Sequence, residues 1–455
     1  MPKRSRGCAA CRQRRIGCDG GLPVCRQCQI TNRQCSGPLQ GPVIIDQTES
    51  TISRHQRSRA RTICGGLTLY QPSSQSIFAH AFISEFVSFI TARNEQARRQ
   101  SWLTELQRGS IVDEGLALDL SMQATALAYC GAMSNQPAAV REACNIYGRA
   151  LLKHSRSMAQ DLDSHRAASL CTCVMLSFFE AICSSNPVAY GSHLRAARKL
   201  LAFVPRDSKH RHGQVIWQLG QHVQCQTMFV MVVTPQEYLK YAPAPVSWAK
   251  TAHVQDSDNT QVIDRLMDSL IYMTDALARR TSQSNCDILI DPNVGLEIGE
   301  LWNQFQEQAK QSGQAIQWPT SSGPQYYDPF TAVIVSYFAA SRVLFASLEP
   351  QVSSHQLSAL QDSCDDVLHC SYFLEGKDIG CAHLRMFFPL TLVALYAPCS
   401  EKRKEAYMLL GQRLQTTAFK GMGSIAIKRV QTSRLAQGLY VDAKQYDSSQ
   451  ADGWD

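Results

Sequence analysis

Six cysteines at 8, 11, 18, 25, 28 and 35 constrain this chain more than anything else in it. The spacing C-x2-C-x6-C occurs twice, with a six-residue loop between the copies. Thiolate is a soft ligand that suits zinc, and C-x2-C puts two sulfurs on one turn, where they can share a metal. Six cysteines complete two tetrahedral sites only if two sulfurs bridge both metals. One four-sulfur site with two spare thiols is the alternative, and it leaves the regular repeat without a reason. The stretch holds few apolar side chains: Ile16, Leu22, Val24 and Ile30. A segment with so little to bury does not fold on a hydrophobic core. Metal has to supply the free energy, roughly 10–16 kcal/mol apparent for a structural zinc in a small domain at neutral pH.

Charge is concentrated at the same end. Residues 1–62 carry twelve Lys/Arg and three acids, a balance of +9, whereas the whole chain stands at +7. The remainder is therefore near neutral, at −2. A basic end on a near-neutral body points to a polyanion partner held by a small module. Arg12, Arg14 and Arg15 lie between the second and third cysteines, with Lys3, Arg4 and Arg6 before the repeat and Arg26 and Arg33 in its second half. A zinc knot serving protein contacts alone, or a metal store, would not need arginine inside the knot.

With these residues the chain resembles the fungal binuclear zinc-cluster, or Zn2Cys6, transcription factors. All six cysteines carry the resemblance, together with Arg12-x-Arg14-Arg15, Asp19 after the third cysteine and Pro23 before the fourth. The resemblance implies two Zn2+ ions, one held by Cys8, Cys11, Cys18 and Cys25 and the other by Cys8, Cys25, Cys28 and Cys35. It also implies a short helix after each C-x2-C, the two related by a pseudo-twofold axis. The first helix would enter the major groove of double-stranded DNA and read a CGG-type triplet. Arg14 and Arg15 would supply base contacts, since arginine donates two hydrogen bonds to guanine O6 and N7. Lys3, Arg4, Arg6, Arg12 and Arg26 would grip the backbone. Gly17 stands where the family usually has lysine, which shifts base reading onto Arg14 and Arg15. A nuclear location, a homodimer and contacts with the transcription machinery of RNA polymerase II genes follow from the same resemblance. So does control of a secondary-metabolite gene cluster.

The expected organisation is a Zn2Cys6 domain over 1–40, a flexible basic linker over 41–75, an all-helical regulatory domain over 76–430 and a tail over 431–455. The linker has Gly/Pro-rich ends and an arginine run from Arg54 to Arg61. That run suits a nuclear import signal or a further phosphate grip. Ser58 and Thr62 beside it are candidate phosphorylation positions. No sustained heptad follows Cys35, so a zipper is not expected. From Ser76 the periodicity is that of amphipathic helices, beginning with Phe78, Phe82, Phe86 and Phe89. Leu170–Cys183 is apolar all round and reads as a buried central helix, as does Phe330–Leu348, which Arg342 and several serines mark as core and not membrane span. Tyr147–Leu152, Met175–Glu180 and His193–Leu200 resemble the helical regulatory region of the same fungal regulators.

The absence of a G-x-S-x-G, an H-E-x-x-H and a Walker loop speaks against an enzyme. Gly421–Ala426 imitates a dinucleotide fingerprint but follows a helical pattern, and it reads as a loop. His193 reads as a packed helix residue, and His210, His212 and His222 as a solvated polar cluster. The twelve cysteines outside the repeat read as reduced core thiols, Cys171 and Cys173 among them. The competing function is a ligand- or redox-sensing helical protein with an appended zinc module, which a deep pocket with converging titratable groups would favour.

Overall fold

The computed structural model describes residues 7–37, 74–90, 102–107, 115–160, 166–183, 187–203, 213–242, 258–282, 290–313, 316, 324–349, 354–377 and 379–436. The chain divides into two units, Met1–Gln71 and Pro72–Asp455. The expected linker, its arginine run, Ser58, Thr62, Lys3, Arg4, Arg6, Cys64, Cys286, His210 and His212 lie outside the described residues.

The first unit contains two five-residue helices, α1 (Ala9–Gln13) and α2 (Arg26–Ile30). Each contains the second cysteine of its C-x2-C instead of following it. Cys8 and Cys25 flank the helices, and Cys11 and Cys28 lie inside, so the helix turn itself brings each cysteine pair together.

The second unit is all helix among the described residues. Its first half runs α3 (Ser74–Ile90), α4 (Trp102–Gln107), α5 (Leu116–Met133), α6 (Pro137–Gln160), α7 (Arg166–Cys183), α8 (Pro187–Leu201) and α9 (Gly213–Val233). It continues with α10 (Pro235–Leu239), α11 (Asp258–Ser282), α12 (Asn293–Gln311), α13 (Pro329–Leu348) and α14 (Ser354–Phe373). It ends with α15 (Ala382–Arg385), α16 (Phe387–Tyr396), α17 (Ser400–Thr416) and α18 (Lys420–Ala436). Proline opens α6, α8, α10 and α13, where its missing N–H is no loss. Asp328 caps α13 by accepting from the Thr331 N–H at 2.7 Å.

Helices α7 and α13 are long and apolar enough to cross a membrane, but 78% of each apolar window is buried within this unit. The serines that interrupt α13 turn inward and bond to their own helix, Ser336 to Val333 O and Ser341 to Phe338 O. One aromatic cluster joins five helices of the first half. Phe178 of α7 lies 5.9 Å from Phe86 of α3 and 6.2 Å from Trp102 of α4, and Phe86 lies 5.7 Å from Tyr129 of α5. His222 of α9 stacks on Phe178 at 4.6 Å.

Two expectations change here. Gly421 and Gly423 are not in a loop but inside α18. A Cβ on Gly423 would sit 3.0 Å from Leu414 Cδ1, so the glycine lets α18 approach α17 closely. His222 is not solvated: it is buried among the aromatic rings. Helices α15 and α16 meet at Met386.

Candidate metal centre and nucleic-acid interface

The six cysteines converge. In one group Cys8, Cys11, Cys18 and Cys25 have all their sulfurs within 4.8 Å of one another, and in the other Cys8, Cys25, Cys28 and Cys35 do. The groups share Cys8 and Cys25, whose sulfurs are 3.7 Å apart. Cys8 lies 3.6 Å from Cys28, and Cys11 3.7 Å from Cys25.

The two halves repeat the same backbone hydrogen-bond pattern. The Cys8 N–H points at Cys18 Sγ at 3.4 Å, and the Cys25 N–H at Cys35 Sγ at 3.5 Å. Ile16 N–H bonds to Cys11 O, and Arg33 N–H to Cys28 O. Arg15 and Asn32 occupy equivalent positions, and both are left-handed, at φ 58° and 47°. Each half also finishes the other half's helix. Asp19 accepts from the Arg26 N–H at the start of α2 at 3.0 Å. Its counterpart Ser36 accepts from the Ala9 N–H at the start of α1 at 2.9 Å. Capping of this kind is worth about 1 kcal/mol per helix. Gly20 and Gly37 follow the capping residues at φ 72° and 69°, a turn that only glycine makes freely. Sequence reasoning noted Asp19 but missed the exchange of caps. The signal was there, because Asp19-Gly20 and Ser36-Gly37 hold the same place in the two copies.

The donor set fits a dinuclear zinc centre. Within this module the buried apolar residues are cysteines, whereas Leu22 and Ile30 are 66% and 70% exposed. Desolvation pushes the Cys11 and Cys28 thiols up to about 12. The Cys25 N–H pulls Cys35 down to about 7, and the Cys8 N–H lowers Cys18. Six sulfurs so crowded ionise together only around cations. Zinc bound there supplies the positive charge that holds the thiolates and ties the two halves together.

The basic side chains sit on the outside. Arg12, Arg14, Arg15 and Arg26 are all exposed, the first in α1, the next two immediately past its end and the last at the start of α2. The equivalent positions at the end of α2 are Gln29, Thr31 and Asn32. The halves thus share a backbone pattern and differ in charge at these matched positions, with three arginines in the first half against Gln29, Thr31 and Asn32 in the second, where Arg33 stands one residue further on.

Residues 6–40 match the fungal Zn(2)-Cys(6) binuclear cluster domain, and residues 76–226 match the fungal specific transcription factor domain. These two stretches are thus similar to the two domains of fungal Zn2Cys6 transcription factors. Two relatives are similar over short stretches. The Aspercryptin biosynthesis cluster-specific transcription regulator atnN of Emericella nidulans is 38% identical over 74 residues, 16% of this chain and 12% of the relative. The transcription activator AMTR1 of Alternaria alternata is 32% identical over 88 residues, 19% of this chain and 11% of the relative. The matches thus span about an eighth of those relatives' length. No solved structure matches.

In the helical part the transcription factor domain match runs from α3 into α9. His193 lies there in a hydrogen-bonded chain, its Nε2 2.9 Å from Tyr147 Oη, which donates to Glu180 Oε1 at 2.5 Å. Burial pulls His193 down to about 4. Cys171 and Cys173 are buried, and Cys173 lies 3.4 Å from His154 Nε2. A surface groove between α14 and α17 is lined by Tyr372, Lys404, Glu405 and Met408. The Tyr372 hydroxyl donates to Glu405 there at 2.6 Å, so these polar groups satisfy each other.

Proposed function

We propose that the protein is a zinc-dependent, sequence-specific DNA-binding transcription regulator, acting in the nucleus on RNA polymerase II genes, and not an enzyme. The observation that carries this reading is the asymmetry of charge on a symmetric backbone. Two helix ends have the same shape, but only the first bears Arg12, Arg14 and Arg15. The second half carries Arg26 and Arg33 at other positions, so the shared backbone does not itself require arginine at these matched ones. Arginine at one helix end suits a G-rich base triplet, with Arg14 and Arg15 reading guanine and Arg12 and Arg26 gripping phosphate. The six cysteines would hold two zinc ions, Cys8 and Cys25 belonging to both four-sulfur groups. Zinc here sets the frame, and the arginines do the reading.

The sites are CGG-type promoter sequences. Association as a homodimer, contacts with the transcription machinery and control of a biosynthetic gene cluster complete the proposal. The name of the Emericella nidulans relative, a regulator of a biosynthesis cluster, supports the last of these. The test is binding of the zinc-loaded full chain to short duplexes that carry a CGG triplet or a scrambled one. Tighter binding to CGG by about tenfold or more is expected, with affinity falling steeply as salt rises. Equal affinity for both duplexes would remove sequence reading from the proposal.

A further inference from the structure

Helices α6 and α7 meet along an antiparallel seam whose register is set by two contacts. Tyr147 bonds to Glu180, and His154 contacts Cys173. Moving seven residues on along α6 moves seven residues back along α7. Leu151 and Leu176 lie between, in register and packed together. One step of three beyond Tyr147 and Glu180 brings Cys144 opposite Cys183, at the open end of the seam. Cys183 is the last residue of α7 and half-buried, and Cys144 is exposed.

We propose that Cys144 and Cys183 form a peroxide-reactive thiol pair that closes into a disulfide and locks α6 to α7. The surroundings suit the two roles. The Cys183 thiol beside it pulls Cys144 down to about 7. The same contact and burial push Cys183 up, with Glu180 adding to the effect. Cys144 is therefore the attacking sulfur and Cys183 the resolving one. Cys171, Cys173 and Cys130 are poor competitors, since burial pushes the first two up to about 12 and the third up to about 11.

The chemistry balances with hydrogen peroxide or an organic hydroperoxide as oxidant. The Cys144 thiolate attacks one peroxide oxygen, the O–O bond breaks, and hydroxide or alkoxide leaves to take up the proton Cys144 released. Cys144 is then a sulfenic acid. The Cys183 sulfur attacks that sulfur, the S–S bond forms, and the S–O bond breaks. The oxygen leaves as water with the Cys183 proton. Two thiols are oxidised by two electrons and the peroxide is reduced. The seam, otherwise held by side-chain packing, the Tyr147–Glu180 bond and the Cys173–His154 contact, gains a covalent tie. A thiol donor regenerates the pair.

The test uses the full zinc-loaded chain, treated with one equivalent of hydrogen peroxide at pH 7, capped with a maleimide and mapped by peptide mass spectrometry. A reducible link between the peptides carrying Cys144 and Cys183 is expected, lighter by about 2 Da than the reduced pair. Zinc retention, read with a chromogenic chelator, separates this event from attack on the six N-terminal thiols. With Cys183→Ser, a dimedone-type trap should label Cys144. With Cys144→Ser, Cys183 should stay unlabelled. The proposal is overturned if Cys144 emerges capped by maleimide while other cysteines are oxidised, or if Cys183 takes the trap first. The wild-type peptide map decides between these outcomes even if a variant fails to fold.

Discussion

Arg15 holds a backbone conformation that its side chain does not favour. A left-handed φ costs an L-residue about 1–2 kcal/mol, and asparagine tolerates it best after glycine. The second half of the module uses Asn32 at the equivalent place. The substitution Arg15→Asn should therefore leave zinc content and melting of the module unchanged or raised. DNA affinity should drop by about 1–3 kcal/mol, with lost preference at one base. Titrating zinc-loaded variant and wild type against the same duplex checks this. Unchanged discrimination would mean that Arg15 sits there for another reason. Three histidines, His222 buried and His193 and His383 half-buried, act at the same scale. Burial holds His222 at about 3 and His193 and His383 at about 4, below the roughly 6.5 of an unfolded chain. Because the folded values are depressed, the stabilisation is complete above about 6.5 and is lost as pH falls toward them. Each contributes a slope of about 1.4 kcal/mol per pH unit in that window. Melting of the helical body should fall progressively from pH 7 to pH 4.5. A flat profile would mean that these rings are charged or exposed in solution.

At the scale of elements, Gly423 explains why a glycine pair can lie inside a helix. The Leu414 side chain fills the space a Cβ would take, and the Leu414 Cα lies 3.4 Å from it. The substitution Gly423→Leu should cost about 1–3 kcal/mol by forcing α18 away from α17. Thermal melting of the body measures it, and a neutral outcome would mean the two helices slide apart freely. The helices themselves were legible in the sequence. Apolar periodicity announced α3, α7 and α13. What periodicity does not encode is which neighbour an atypical residue meets. Gly421 and Gly423 looked like loop formers because Leu414 is invisible from their own segment. His222 looked polar because Phe178 and Trp102 come from other helices. The cysteine repeat told more, since a metal knot is specified by spacing alone. Even there, the ladder of N–H groups onto Cys18 and Cys35 emerges only from the fold.

For the whole molecule, the two units rest on different forces. The helical body buries a continuous apolar core, and the N-terminal module buries sulfur. A strong zinc chelator should therefore abolish DNA binding and unfold residues 8–37, with little change in the melting of the helical body. Calorimetry with and without chelator, beside a duplex-binding assay, reads both. Simultaneous loss of both transitions would show that the body also depends on metal.

The crossed caps have a consequence for inheritance. Asp19 closes the helix that follows it, and Ser36 closes the helix at the other end of the module. Neither copy of the repeat is finished without the last residues of its twin. A single copy moved alone into another protein would arrive with a frayed helix and three of its sulfur ligands, so gene duplication or shuffling can pass on only the pair. The smallest heritable piece is the stretch from Cys8 to Gly37 taken whole.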